Sequence, residues 1–365
     1  MAGDGADMGP TIADVGEDGL VGSVLARYGL PPAGVVVGPG DDAAVLDVPG
    51  RVVLSTDTLV EGQDFRRDWS SAQDVGRKTA AQNLADLAAM GAVPFALVVS
   101  LAAPGDLSAG WAAELADGLA AECARAGAAV VGGDVSAAGE IVITGTALGV
   151  LPGPAVLRSG ARPGDLVALA GDLGPSAAGL ALLIAGFGRG ARLPEREQGL
   201  VADLLAAHRV PEPPYPAGPA AAAAGASAMI DTSDGLLRDA RRVGEASGVV
   251  LDLDPDQLAP GERLLSAARL LMGADAVVGS VGGTGQAGGT APGDPDPVRQ
   301  LAEGWVLTGG EDHALLACFP AGGVLPEGFR VVGVVRAAGG PDGLRPGVAL
   351  GGRPYTGPDG WHHFT

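Results

Sequence analysis

Apolar and polar positions alternate along this chain in segments of strand and helix length. A helix is expected over residues 12–28, closed by Gly29. Two apolar runs, 43–48 and 52–55, flank Pro49-Gly50 and predict a hairpin. Residues 74–90 have helical character and stop at Gly91, a residue suited to a helix C-terminus. Residues 93–101 read as a strand, 107–126 as a helix, and 128–131 and 141–150 as strands. The first ten residues, rich in Gly, Asp and Ala, are expected to fray.

Leu151-Pro152-Gly153-Pro154 breaks this pattern, and Ala161-Arg162-Pro163-Gly164 breaks it again. A domain boundary is therefore expected near 150–163, separating residues 1–150 from 151–365. Beyond it, strands are expected at 166–170, 228–230, 249–253, 305–307, 314–319 and 331–335, with helices at 177–185, 199–208 and 236–246. Residues 273–303 are glycine-rich without an apolar period and predict a flexible surface insertion. The mixture defines an α+β or α/β fold in two domains.

Composition narrows the function. With 47% hydrophobic and 18% charged residues, the 365-residue chain is globular. A formal charge of −20 weighs against nucleic acid, whose phosphates would be repelled. A small anionic substrate stays compatible, provided metal ions neutralise the local charge. Cys123 and Cys318 lie far apart in apolar segments and are expected as buried free thiols. No CxxC or Cys/His cluster suggests zinc. The chain start lacks a basic segment followed by an apolar one, and the longest apolar run, 92–103, contains Pro94 and is too short to span a bilayer. The expectation is a cytoplasmic protein without a membrane partner.

The chemistry sits in five acidic stretches: Gly40-Asp41-Asp42, Ser55-Thr56-Asp57, Asn83-Leu84-Ala85-Asp86, Gly132-Gly133-Asp134 and Asp231-Thr232-Ser233-Asp234-Gly235. Each is expected where an apolar strand or helix hands over to a loop. Each also has a plain reading. Gly-Asp pairs make turns, and a polar residue ahead of residue 236 is what an N-cap needs. Asn83 and Asp86, three apart on a helix, share a face, yet a solvated Asp86 is as good a reading. Carboxylates brought together repel unless a cation lies between them. Mg²⁺ takes oxygen ligands from a few carboxylates and substrate phosphates. The set therefore predicts a site for magnesium and a polyphosphate. Gly171-Asp172-Leu173-Gly174-Pro175-Ser176 could likewise meet phosphate, although tight packing explains its glycines as well.

Some machinery is missing. No Gly-Lys pair exists, so there is no P-loop, and the strand lysine and HRD loop of protein kinases are absent. His208, His362 and His363 read as surface or C-terminal residues, leaving His313 as the histidine beside a motif. Lys78, the single lysine, reads first as a solvated side chain, with an additional phosphate contact as the alternative.

Taken in order, the motifs resemble thiamine-monophosphate kinase, of the superfamily that includes aminoimidazole ribonucleotide synthetase. The matching text is Gly40-Asp41-Asp42-Ala43-Ala44-Val45-Leu46, Ser55-Thr56-Asp57-Thr58-Leu59-Val60-Glu61-Gly62, the 83–91 segment, Gly132-Gly133-Asp134, Leu157-Arg158-Ser159-Gly160, the 230–236 segment and Thr308-Gly309-Gly310-Glu311-Asp312. The resemblance implies a two-domain aminoimidazole ribonucleotide synthetase-like fold and a homodimer joined through N-terminal-domain strands. It implies transfer of the γ-phosphoryl group of ATP to thiamine monophosphate. It implies magnesium ligands at Asp42, Ser55, Thr56, Asp57, Asp86, Asp134, Asp231 and Asp234, and ATP contacts at Gly133, Asp134, Arg158 and Ser233. For the thiamine moiety it points to Glu311 and Trp361. Asp64 stands where the family usually has a histidine, and an acid there could still bind the cationic substrate. Two other readings stay open: an ATP-using relative that activates an amide oxygen, and a noncatalytic nucleotide-binding regulator.

Overall fold

The structure is a computed structural model that describes residues 9–29, 33–188, 193–279, 296–339 and 343–361. The chain divides into two compact units, Met1–Ala155 with Gly218–Ala222, and Val156–Ala217 with Ala223–Thr365.

In the first unit, α1 (Ile12–Leu25) begins with a capping box in which Thr11 and Asp14 satisfy each other's backbone N–H groups. Two short strands follow, β1 (Val35–Val37) and β2 (Val45–Leu46), paired with each other. This corrects the expected hairpin: the 43–48 run turns back onto 35–37, and Pro49-Gly50 only redirects the chain. β3 (Arg51–Val60) instead pairs along its whole length with β6 (Val142–Leu151), in antiparallel register from Arg51↔Leu151 to Val60↔Val142. A ten-residue ladder satisfies far more backbone than a two-residue hairpin could.

Helix α2 (Ala72–Ala89) starts two residues earlier than its apolar spacing suggested, because Ser71 and Asp74 form a second capping box. β4 (Val93–Ala103), α3 (Ala109–Ala126) and β5 (Ala129–Ala137) make a parallel crossover, completing a four-stranded sheet in the order β3-β6-β4-β5. α2 and α3 pack against each other beside it. The opposite face carries Val52, Leu54, Val93 and Val98, all exposed.

The second unit is built on a seven-stranded mixed sheet. Its elements are β7 (Leu166–Ala170), α4 (Pro175–Ile184), α5 (Glu195–Arg209), α6 (Ala217–Ala223), β8 (Ala228–Asp231), α7 (Leu236–Ser247) and β9 (Val249–Leu253). They continue with α8 (Glu262–Gly279), α9 (Pro297–Thr308), β10 (Leu315–Phe319), β11 (Phe329–Ala337), β12 (Gly347–Leu350) and β13 (Arg353–Pro354). The middle residues of α6 belong with the first unit. The sheet order is β13-β12-β9-β11-β7-β10-β8. β8, β9 and β10 are buried throughout, which accounts for their unbroken apolar runs.

Two expectations change here. Residues 305–307 end helix α9 rather than form a strand: Asp296 caps that helix, and Ala302, Trp305 and Val306 bury one helical face. Short apolar runs do not distinguish helix from strand. The 273–303 insertion is helical at both ends, in α8 and α9; residues 280–295 lie outside the described residues. Cys123 and Cys318 are buried free thiols. No helix among the described residues is long and apolar enough to cross a membrane.

Candidate active site

Three of the five acidic stretches lie inside regular elements rather than at their ends. Ser55, Thr56 and Asp57 are in the middle of β3, Asp86 in α2, and Asp134 within β5, which runs on to Ala137. A carboxylate is tolerated inside a strand or helix when a neighbouring element supplies its partners.

Strand alternation sends Ser55 and Asp57 towards α2 and Thr56 away from it. Ser55 Oγ donates to Asp86 Oδ2 at 2.5 Å, and the Asp57 N–H donates to Asn83 Oδ1 at 3.0 Å. Asn83 is buried and steadied by its Nδ2 donating to the Thr79 carbonyl at 2.9 Å. Gly145 makes room for it: a Cβ there would stand 2.4 Å from Asn83 Nδ2. Asn83 and Asp86 thus act as a helix face locked onto the strand, bringing Ser55, Asp57 and Asp86 together. Thr56 faces the other way, donating to the Gly145 carbonyl at 2.7 Å and meeting Thr146 Oγ1 at 3.3 Å.

The rest of the first unit's set is not gathered at that point. Asp134 is in register with Ser100, which pairs with Thr144 and so with Thr58. It therefore lies three strands across the sheet from β3, about 14 Å in strand spacings. There it accepts from Ser136 Oγ at 3.1 Å and borders, with Gly133, an apolar cavity lined by Val24, Tyr28, Leu101 and Leu119. Asp42 is exposed in the turn before β2, its N–H donating to Asp41 Oδ1 at 2.8 Å. Asp64 closes the turn after β3, where its Oδ2 accepts the Val60 N–H at 2.8 Å. Lys78 is buried, correcting its reading as a solvated side chain, and donates to the Asp64 carbonyl at 3.0 Å.

In the second unit, Asp231 ends β8 and is buried with His313, whose Nδ1 is 3.1 Å from Asp231 Oδ2. The 309–313 segment lies along the 231–235 turn: the Glu311 N–H donates to the Ser233 carbonyl at 2.8 Å and the His313 N–H to the Thr232 carbonyl at 3.1 Å. Glu311 and His313 hold positive φ, 66° and 51°. Such strain in non-glycine residues gathers at functional sites. Asp234 pairs with Arg242 at 2.7 Å and Arg238 at 3.4 Å, and its carbonyl accepts the Trp361 N–H at 2.9 Å. The Trp361 side chain is exposed. Arg158 is exposed and its carbonyl accepts from Ser247 Oγ at 2.8 Å. Asp231, Ser233, Asp234, Glu311 and Trp361 are thus gathered.

Sequence reasoning missed several residues here. Asp239 is buried and accepts from the Asp234 N–H at 3.0 Å and from Arg242 at 2.7 Å. Burial, and then repulsion from Asp231, push its carboxyl up to about 7. Asp312 caps α4 through Gly174 N–H at 2.6 Å and Ser176 N–H at 2.9 Å, and burial pushes it to about 7 as well. His208, expected at the surface, is buried on α5. The steps of four from Asp234 to Arg238 to Arg242 were the available signal. Nothing local marks His208. His362 and His363 lie outside the described residues. Among those residues, no group of three or more His, Cys, Asp or Glu stands close enough to hold a metal unaided.

Residues 40–151 match the family model described as AIR synthase related protein, N-terminal domain. The fold is also that of the crystal structure of thiamine-monophosphate kinase from Stenotrophomonas maltophilia K279a, at a TM-score of 0.72 and 28% identity over 92% of this chain and 96% of that one. AaThiL complexed with AMPPCP and TMP superposes at a TM-score of 0.69, with 25% identity over 96% of this chain and 97% of that one. Fold and motifs together define an AIR synthase-like protein of two α/β units. A thiamine-monophosphate kinase from Mycobacterium tuberculosis is 44% identical over 357 residues, 97% of this chain and 93% of that protein. The chain belongs to the thiamine-monophosphate kinase family.

Proposed function

We propose that this chain transfers the γ-phosphoryl group of ATP directly to thiamine monophosphate, giving thiamine diphosphate and ADP. The observation that carries the reading is the locked Ser55–Asp57–Asp86 group in a chain alignable over 97% of its length with a thiamine-monophosphate kinase. The ligand-bound relative, complexed with AMPPCP and TMP, supports the same pair of substrates.

The acceptor chemistry suits the residues present. A phosphate monoester has a second pKa near 6, so at neutral pH most of it is already a dianionic nucleophile. No general base is then needed. The difficulty is bringing two anions together, and the group on β3 and α2 answers it with oxygens alone: Ser55, Asp57 and Asp86. The resemblance adds Asp42, Thr56, Asp134, Asp231 and Asp234 as further proposed ligands outside that group. Oxygen donors fit magnesium, which keeps several positions for water and phosphate and so asks few carboxylates of the protein. When bound, it would supply charge neutralisation and alignment for in-line attack.

The other assignments rest on the family resemblance and on the chemistry of each residue. The apolar cavity beside Gly133 and Asp134 suits a nucleotide base, and the resemblance adds Arg158 and Ser233 as further ATP contacts. Glu311 and Trp361 offer a carboxylate and an aromatic face to the cationic thiamine moiety. Asp64, engaged by Val60, would contribute at most its second oxygen. Residues 1–150 would hold Mg-ATP and the dimer contact, and 151–365 would complete the acceptor site. A homodimer is supported by the exposed apolar face of the first unit's sheet.

Purified protein incubated with ATP, Mg²⁺ and thiamine monophosphate is expected to give ADP and thiamine diphosphate in equal amounts, and none with free thiamine. ADP formation with thiamine but not with its monophosphate would overturn the reading.

A further inference from the structure

We infer that His208 is a positioning residue for the acceptor: it holds the Glu311 carboxylate in the orientation that meets the thiamine moiety. The inference rests on the function proposed above. Three observations converge on it. First, His208 Nδ1 lies 3.3 Å from Glu311 Oε2 and 3.2 Å from Ser176 Oγ, inside the second unit. Second, both His208 and Ser176 are buried, whereas the Glu311 side chain keeps 28% of its surface. The histidine therefore meets the carboxylate from the buried side, while part of the Glu311 side chain stays at the surface. Third, the distance between the helices carrying these groups is fixed. A Cβ on Gly179 of α4 would lie 2.1 Å from the Leu204 carbonyl and 3.0 Å from His208 Cβ, so α5 is held at backbone contact.

The chemistry assigns the tautomer. A carboxylate only accepts hydrogen bonds, so Nδ1 must carry the proton that lies towards Glu311. Ser176 Oγ is then the second acceptor on the same N–H. Its own main chain is fixed by Asp312, the residue after Glu311. The start of α4 thus anchors two consecutive acids of one strained segment, Asp312 directly and Glu311 through His208. Glu311 sits at φ 66°, so its side chain leaves the backbone in an uncommon direction and needs such a support.

The test compares two amides at one position. His208→Asn places a donor close to Nδ1, while His208→Gln carries its donor one bond further out. Steady-state kinetics should show the Asn variant with an acceptor KM near that of the parent. The Gln variant should raise the KM for thiamine monophosphate roughly tenfold, the loss expected for a charge-assisted hydrogen bond, with the KM for ATP within about twofold. In the Glu311→Gln background the two His208 variants should no longer differ. Equal acceptor KM values for Asn and Gln, or parallel rises in both KM values, would overturn the role of His208. Absence of turnover in the parent chain would instead overturn the proposed function on which it stands.

Discussion

The hydroxyl of Ser55 and the carboxylate of Asp86 meet at 2.5 Å, joining the middle of β3 to the last turns of α2. Beside them Asp57 is tied to the same helix through its main chain, since its N–H donates to Asn83. An asparagine at 57 keeps that bond and changes only the charge. Asp57→Asn is therefore expected to lower kcat at least ~100-fold, as loss of a metal-binding charge does, while the circular dichroism spectrum and thermal midpoint hold. An unchanged kcat would remove Asp57 from the site.

Gly145 tests the support beneath that site. Its missing side chain is what admits Asn83, whose Nδ2 would be 2.4 Å from an added Cβ. Gly145→Ala should push the amide away from the Asp57 N–H and cost about 1–3 kcal/mol of stability, as overpacking does. Urea unfolding measures the loss. A parent-like midpoint would show that Asn83 has room to move.

Much of this arrangement was legible in the sequence, for identifiable reasons. Asn83 and Asp86 share a face by helical geometry alone, and the structure turns that face onto β3. The 231–235 motif was visible as a strand end leading into a helix. What stayed hidden depends on contacts between segments distant in sequence. Strand β3 finds its partner about ninety residues later, so its one acid, Asp57, reads as a loop residue until β6 is in place. His208 is buried by α4, and Lys78 by the turn at Asp64. Trp305 and Val306 misled for a different cause: a three-residue apolar run carries no period.

Stability should fall as the solution becomes more alkaline. Burial raises Asp312 and Asp239 to about 7, while in the unfolded chain they titrate near the ordinary value of 3.8. Between those limits the native state holds more protons than the unfolded one, so unfolding becomes easier as pH rises. The stabilisation is complete below the unfolded value and is lost through about 7, at up to ~1.4 kcal/mol per pH unit for each group. Asp312→Asn, which cannot ionise, should lessen the fall in thermal midpoint between about pH 5.5 and about pH 8. Identical slopes for parent and variant would show that Asp312 does not titrate there.

The exposed sheet face of the first unit bears on assembly. Val52, Leu54 and Val98 are 43%, 65% and 43% exposed on the face away from α2. Sedimentation is expected to show a dimer for the parent chain. Leu54→Glu, which would bury a charge at the contact, should yield monomer with an intact thermal transition. A parent that sediments as monomer would separate this face from self-association.

The most direct measurement follows the phosphorus itself. In a single turnover with γ-³²P-labelled ATP, excess enzyme, Mg²⁺ and thiamine monophosphate, label should leave ATP and appear in thiamine diphosphate at the same rate. Label arriving in inorganic phosphate with no labelled thiamine diphosphate would contradict direct transfer between the two anions.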